Sequence, residues 1–294
     1  MSDKSPATVG PLIALPEQAV ITLRGRDAIA FSQAQFMNDI GVLADGEWHW
    51  SGWLTPKGRV ITLFALLRRD AETLWLMLPD GGAEAIVQRL RGYLFRSKVT
   101  IGIDEGLRVG GRFTQASGAR GNTFAADGDT VELDLGTGEH ARSLVISTGL
   151  DALPNEDAIA RWRVADLQEG LPRLVDTERE QWTPQQLSLE RLQAFSVKKG
   201  CYPGQEIVAR THFLGKAKRR LALLESGSPI AVGSDVTADG KSLGRVMSVA
   251  SASDKHIALA VLPLERPQPG LPGSALMVDG ASVIEAPLRD GLAR

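Results

Sequence analysis

Two runs with strand-forming texture, Glu47 to Trp53 and Arg59 to Leu67, flank the tetrapeptide Thr55-Pro56-Lys57-Gly58. This arrangement limits the possible folds more than any other part of the sequence. Pro56 presets the backbone for a turn and Gly58 accepts positive φ, so the short connection leaves the runs to pair as a hairpin. Thr73 to Leu78 continues the strand texture and Ala19 to Arg24 precedes it. Between them, Arg26 to Asn38 is expected as a helix with Ile29, Phe31, Ala34, Phe36 and Met37 on its apolar side.

Downstream, Gly82 to Leu94 is expected as a second helix, with Ala85, Ile86, Leu90 and Leu94 turned inward. Short strands are expected at Val99 to Ile103, Arg108 to Phe113, Thr130 to Leu135 and Arg142 to Ser147, and Gly118 to Asp129 is expected as a loop. A third helix is expected from Asn155 to Glu169, capped by Asn155 or Asp157 and stopped by Gly170-Leu171-Pro172. Ser188 to Phe195 has the texture of a short helix. Beyond Gly215 prolines alternate with strand-like runs at Arg219 to Leu224, Ser242 to Val249 and His256 to Val261, the pattern of a small β-barrel. The class is therefore α+β. A chain of 294 residues has room for two or three domains.

A single cysteine, Cys201, stands in Lys199-Gly200-Cys201-Tyr202-Pro203-Gly204-Gln205-Glu206. One thiol excludes an internal disulfide, and four scattered histidines give no zinc-ligand spacing. Thiolate is the reactive form of cysteine, and nearby positive charge or a helix N-terminus favours it. Lys198, Lys199 and a helix starting near Gly204 are the candidate sources. Residues 188–220 hold eight Lys or Arg against two acids in a chain of net charge −2. An anionic partner is the direct inference, a solvated basic face the plainer one. The sequence pI of about 6.1 lies far from that of a dedicated nucleic-acid binder, so no direct DNA binding is expected. No leader-like segment stands in the first 20 residues and no run approaches a membrane span, so the cytoplasm is expected and a membrane partner is not.

Trp48 and Trp50 face one side of the expected strand and, with Trp53, form either an aromatic wall for a flat heterocycle or ordinary core. Lys57 and Arg59 add positive charge at the neighbouring turn.

The octapeptide around Cys201, continuing Ile207-Val208-Ala209-Arg210, resembles the signature of the YgfZ family, folate-binding proteins related to the T-protein of the glycine cleavage system. Phe31 to Asp39, Pro56 to Val60, Arg89 to Val99, Gly170-Leu171-Pro172 and Thr183-Pro184-Gln185 are similar to further family segments, so the resemblance spans about residues 19–220. It implies a T-protein-like three-domain ring. Residues 1–45 and 155–214 would form a discontinuous N-terminal domain, 46–154 a ferredoxin-like middle domain and 215–294 a C-terminal β-barrel. It also implies tetrahydrofolate as cofactor and a role in assembly or repair of iron–sulfur enzymes, including those that modify tRNA. The partners would be such client enzymes or cluster-assembly proteins. Cys201 carries over as the functional thiol, Lys199 as its basic neighbour, and Trp50, Lys57, Arg59, Gln205, Glu206 and Arg210 as candidate folate contacts; any metal contact at Cys201 would be transient.

The T-protein has paired aspartates after its glycine turn, where one-carbon transfer needs a carboxylate. Here Ile61 and Thr62 occupy those columns, and neither ionises. Ser188, Glu190 and Pro203 depart from the family's usual residues as well. The alternative reading, a folate-dependent one-carbon transferase using Cys201 as a covalent or proton-transfer group, is disfavoured by the missing aspartates.

Overall fold

The computed structural model describes residues 10–215, 217–265 and 275–294. Lys216, counted above in the basic segment, lies outside them. The chain runs β1 (Ile13–Ala14), β2 (Ala19–Arg24), α1 (Ala28–Gln35), β3 (Glu47–Leu54), β4 (Val60–Arg68), β5 (Thr73–Leu78), α2 (Ala83–Arg91) and β6 (Thr100–Ile103). It continues β7 (Arg108–Arg112), β8 (Ala125–Asp127), β9 (Thr130–Asp134), β10 (Ser143–Ser147), α3 (Glu156–Gln168) and α4 (Gln205–Phe213). The last strands are β11 (Arg219–Ser226), β12 (Asp235–Ala238), β13 (Lys241–Ala252), β14 (Lys255–Pro263), β15 (Leu276–Val278) and β16 (Ala281–Ala286).

The hairpin is present: β3 and β4 pair antiparallel from Glu47 opposite Arg68 to Leu54 opposite Val60, with a bulge at the turn end. Their sheet has the order β3-β4-β5-β2-β6, all antiparallel, with α1 and α2 packed on one face. Without the edge strand β3 this is the β-α-β-β-α-β arrangement of a ferredoxin-like unit. A second sheet, β1-β7-β10-β9-β8, follows, and β11-β14-β13-β12-β15-β16 close into the expected barrel. The division expected after residue 45 does not follow these sheets. Strand β2 lies between β5 and β6 in the hairpin's own sheet, while residues 108–147 pair with β1 in another. Long-range strand pairing, invisible to local texture, draws the boundary.

Smaller departures have local causes. Helix α1 stops at Gln35 because Phe36 turns extended and bridges to Trp53. Ala34 and Ala85 are exposed, and Ala28, Ala83 and Val87 take the inward positions. The expected loop 118–129 contains β8, which pairs with β9 across a Gly128 turn. Helix α3 starts as expected, the Asn155 side chain accepting from the Ala158 amide.

The hairpin turn meets the cysteine segment through two glycines. Gly58 (φ +68°) and Gly204 (φ +79°) lie back to back: a Cβ on Gly204 would sit 2.6 Å from the Thr55 carbonyl oxygen and 2.7 Å from the Gly58 Cα. Both positions need left-handed backbone and no side chain. Gly204→Ala is therefore expected to lower stability by about 2–3 kcal/mol, the sum of backbone strain and forced separation. A urea-unfolding midpoint equal to wild type would refute the close contact.

Candidate functional site

Lys199 organises the cysteine loop. Its ammonium donates to the carbonyls of Gln33 (2.7 Å), Phe36 (2.6 Å) and Asn38 (2.9 Å), which end α1 and the turn after it. An ammonium has three protons, and the three carbonyls take them all. Burial draws Lys199 down to about 8, while Asp39 opposes the shift. Ser196 fastens the same loop: its hydroxyl oxygen accepts from the amides of Lys198 and Lys199, and its own amide donates to Met37. Tyr202 is buried and donates its hydroxyl to the Ser196 carbonyl (3.1 Å). The Gln205 side chain donates to the Lys199 carbonyl (2.9 Å), tying the start of α4 back to the loop.

Cys201 is left on the outside of this frame, exposed and forming no hydrogen bond among the described residues. Lys199, expected as a basic neighbour serving the thiol, spends its charge on the end of α1 instead. The basic segment is likewise not a single surface. Arg191 binds the Glu169 and Arg289 carbonyls and pairs with Asp290; Arg219 donates to Leu243, and Arg220 pairs with Glu285. Guanidinium forks are well suited to backbone carbonyls, and here the fold uses them that way. Lys198, Arg210 and Lys218 are exposed, as are Lys57 and Glu206.

The Gly58–Gly204 contact brings the turn that carries Lys57 and Arg59 against the start of α4, where Gln205 and Glu206 stand. Arg59 is already engaged, donating to the Gln181 carbonyl (2.8 Å) and the Gln186 side chain. Trp50 does not join this group. It is fully buried in the core between the sheets, edge-to-face with Trp48, and its indole N–H donates to the Leu292 carbonyl (2.9 Å). Trp50 thus presents no open ring face, and Trp48 and Trp53 are core as well.

A buried ionic cluster lies near that aromatic pair, unanticipated from the sequence. Arg142 bridges Asp166 (2.7 Å) and Glu169, Arg173 also reaches Asp166 (2.6 Å), and Thr137 donates to Glu169 (3.1 Å). Asp166 and Glu169 stand one turn apart at the end of α3 among buried Trp162, Ala165 and Leu167; two acids on an apolar helix face were the available signal. Burial pushes the Glu169 carboxyl up and Arg142 opposes it. Arg294 links the cluster to the aromatics: its guanidinium lies 5.8 Å from the Trp48 ring and feels Glu169. The Trp48 indole N–H is buried without a partner among the described residues. Arg142 and Glu169 border a cavity of about 370 Å³, whereas the indoles lie within the core.

No family model matches the chain. It is 30% identical over 236 residues to the tRNA-modifying protein YgfZ of Colwellia psychrerythraea, covering 73% of this chain and 71% of that protein. The chain belongs to the YgfZ family. The YgfZ protein of Aliivibrio fischeri is 29% identical over 272 residues, covering 85% of this chain and 84% of its own length. An uncharacterised Haemophilus influenzae protein is 28% identical over 228 residues, 76% of this chain and 77% of that one. In three dimensions this YgfZ-family chain is similar to the glycine cleavage system aminomethyltransferase T from Bartonella henselae. The TM-score is 0.69 over 94% of this chain and 84% of that one at 15% identity, which establishes a common fold. Among the described residues no helix is long and apolar enough to cross a membrane.

Two measurements probe the frame around Cys201. Lys199→Met strips a cation from three carbonyls and is expected to cost about 3 kcal/mol or more in a urea melt; a loss below 1 kcal/mol would refute the anchoring role. His49, buried in β3, is held down to about 3, first by burial and then by Lys199. The unfolded histidine titrates near 6.5, so between pH 6.5 and 3 the unfolded state binds the extra proton and stability falls as pH falls. His49→Leu removes that term. Its stability should depend on pH less steeply than wild type below pH 6, by up to about 1.4 kcal/mol per pH unit; parallel curves would contradict it.

Proposed function

We propose that this chain is a tetrahydrofolate-binding accessory factor for the assembly or repair of iron–sulfur enzymes, including ones that modify tRNA, and that it works in the cytoplasm through Cys201. The observation that carries the reading is the presentation of the thiol. Cys201 is exposed on a loop locked from behind by Lys199, and among the described residues no side chain is hydrogen-bonded to it as a base. Nucleophilic catalysis in a closed site needs an adjacent activating group. A thiol offered outward on a rigid frame suits a transient contact with iron, sulfur or a cluster carried by another protein. The name of the Colwellia and Aliivibrio relatives, tRNA-modifying protein, is in keeping with clients of that kind.

Folate is supported by the cavity of about 370 Å³ bounded by Arg142, Glu169 and Arg289. The Glu169 carboxylate there can accept from the amino-pyrimidine edge of a pterin. The anionic glutamyl end of the cofactor would favour the exposed cations Lys57 and Arg210 near α4. Residues 61 and 62, where the T-protein has its aspartates, are buried Ile61 and Thr62 in β4. One-carbon transfer at that position has no proton acceptor, so the accessory role is preferred over a transferase.

In cells lacking their own copy, Cys201→Ala and Cys201→Ser should both fail to restore iron–sulfur enzyme activity. The purified variants should melt within about 0.5 kcal/mol of wild type, because the side chain is exposed. Full restoration by both variants would sink the thiol role. Calorimetry with tetrahydrofolate tests the cofactor separately, and absence of heat at high micromolar concentration would remove it.

A further inference from the structure

From the last turn of α2 to the start of β6, residues 89–99 hold Arg89, Arg91, Arg96 and Lys98 and no acid. Successive tight turns, in which the amides of Tyr93 and Leu94 donate to the carbonyls of Leu90 and Arg91, leave two aromatic rings outside the core. Phe95 is 86% exposed and Tyr93 44%, although Tyr93 still meets the Trp53 ring edge-to-face at 5.6 Å. The Arg96 guanidinium lies 5.0 Å from the centre of the Phe95 ring. The turn between β2 and α1 closes against the same segment. A Cβ on Gly25 would run into the Lys98 carbonyl, and the Asp27 carboxylate accepts from the Lys98 amide (2.7 Å). That turn carries Arg26, an exposed side chain whose carboxylate neighbour is Asp27 at 3.9 Å. Two bordering acids are already committed, Glu180 to Arg89 and Asp104 to Arg24 (3.1 Å). Arg91 donates to the Ile101 carbonyl (2.7 Å), which leaves its charge unneutralised. Among the described residues the side chains of Arg96 and Lys98 have no anionic partner.

We propose that residues 24–27 and 89–98 form a binding surface for single-stranded RNA, with Phe95 as the stacking platform for an unpaired base and Arg26, Arg96 and Lys98 as the phosphate contacts. An exposed flat ring set among cations is the combination that holds a single strand, the ring taking a base face and the cations tracking the backbone. An acidic protein segment would satisfy the cations but has no use for the π-face of Phe95. A duplex keeps its base faces stacked inside, whereas loops and ends of RNA offer theirs. The whole chain carries a net charge of −2, so general attraction to a polyanion is absent and binding has to come from a local surface. The surface needs neither Cys201 nor folate, and it adds a partner to the proposed function without depending on it.

Fluorescence anisotropy of the full-length protein with a labelled oligouridylate of about 12 nucleotides tests the surface. Binding should saturate, and three phosphate contacts on a single strand predict a loss of about 20-fold between roughly 50 and 200 mM salt. Phe95→Ala should weaken binding by about tenfold while leaving the salt dependence as it is, because it removes a stacked base and no charge. The double variant Arg96→Gln with Lys98→Gln should flatten the salt dependence to about that of one contact. These side chains are exposed, so each variant should melt with wild type. Lys198→Gln, a cation exposed elsewhere, should bind as wild type does. No binding at about 100 μM protein in the lower salt would overturn the proposal, a concentration at which even non-specific association is seen. So would equal affinity in Phe95→Ala, tighter binding of a duplex of the same length, or an equal loss in Lys198→Gln. A decaglutamate peptide bound as tightly as the oligouridylate would reveal a plain polyanion surface and overturn it as well.

Discussion

The ammonium of Lys199, spent on three carbonyls at the end of α1, is the interaction on which the rest of the site depends. A helix end leaves its last carbonyls without intrahelical donors and carries partial negative charge, so a cation is the group best able to satisfy it. Lysine suits this better than arginine, since three protons on one nitrogen can reach three converging oxygens where a planar fork cannot. With its charged head committed, Lys199 ties its loop to the end of α1, and Cys201 two residues on lies outside the core. The thiol is presented by a lysine that never needs to touch it.

The same economy runs through the neighbouring contacts. Gly58 and Gly204 let the hairpin turn and the start of α4 approach to backbone distance, which couples the first sheet to the cysteine segment. Behind them, Arg142, Asp166, Glu169 and Arg173 form a buried network in which each charge has an opposite partner. Removing one member of such a network leaves an uncompensated charge in low dielectric, so the cluster holds α3 in one position. Residues 287–294 cross from the barrel to the end of α3 and to Trp50, joining the barrel to the core between the sheets.

Much of the fold was legible in the sequence where local chemistry decides. Strands β2 and β5 fall at the residues their texture suggests, the Pro56-Lys57-Gly58 turn makes its hairpin, Asn155 caps α3, and the proline-punctuated end closes into a barrel. Where two chemistries share one sequence pattern, legibility fails. Trp48 and Trp50 alternate as a binding wall would, yet so does a core strand, and only the packing of distant elements around them makes them buried. Lys199 beside Cys201 reads as an activating charge, because sequence proximity carries no direction for a side chain. The eight cations of residues 188–220 read as a surface until half of them are seen holding carbonyls and carboxylates.

The sequence by itself determined most of the secondary elements, the fold class, the lone thiol and, through its motif, the family. Those follow from short-range properties: φ preferences of Pro and Gly, capping, strand texture and the identity of eight consecutive residues. Tertiary structure alone decided which strands share a sheet, which charges are free, and what lies over the indoles. Each depends on groups far apart in the chain, such as Trp50 and Leu292 or Lys199 and Phe36, whose meeting no local pattern records.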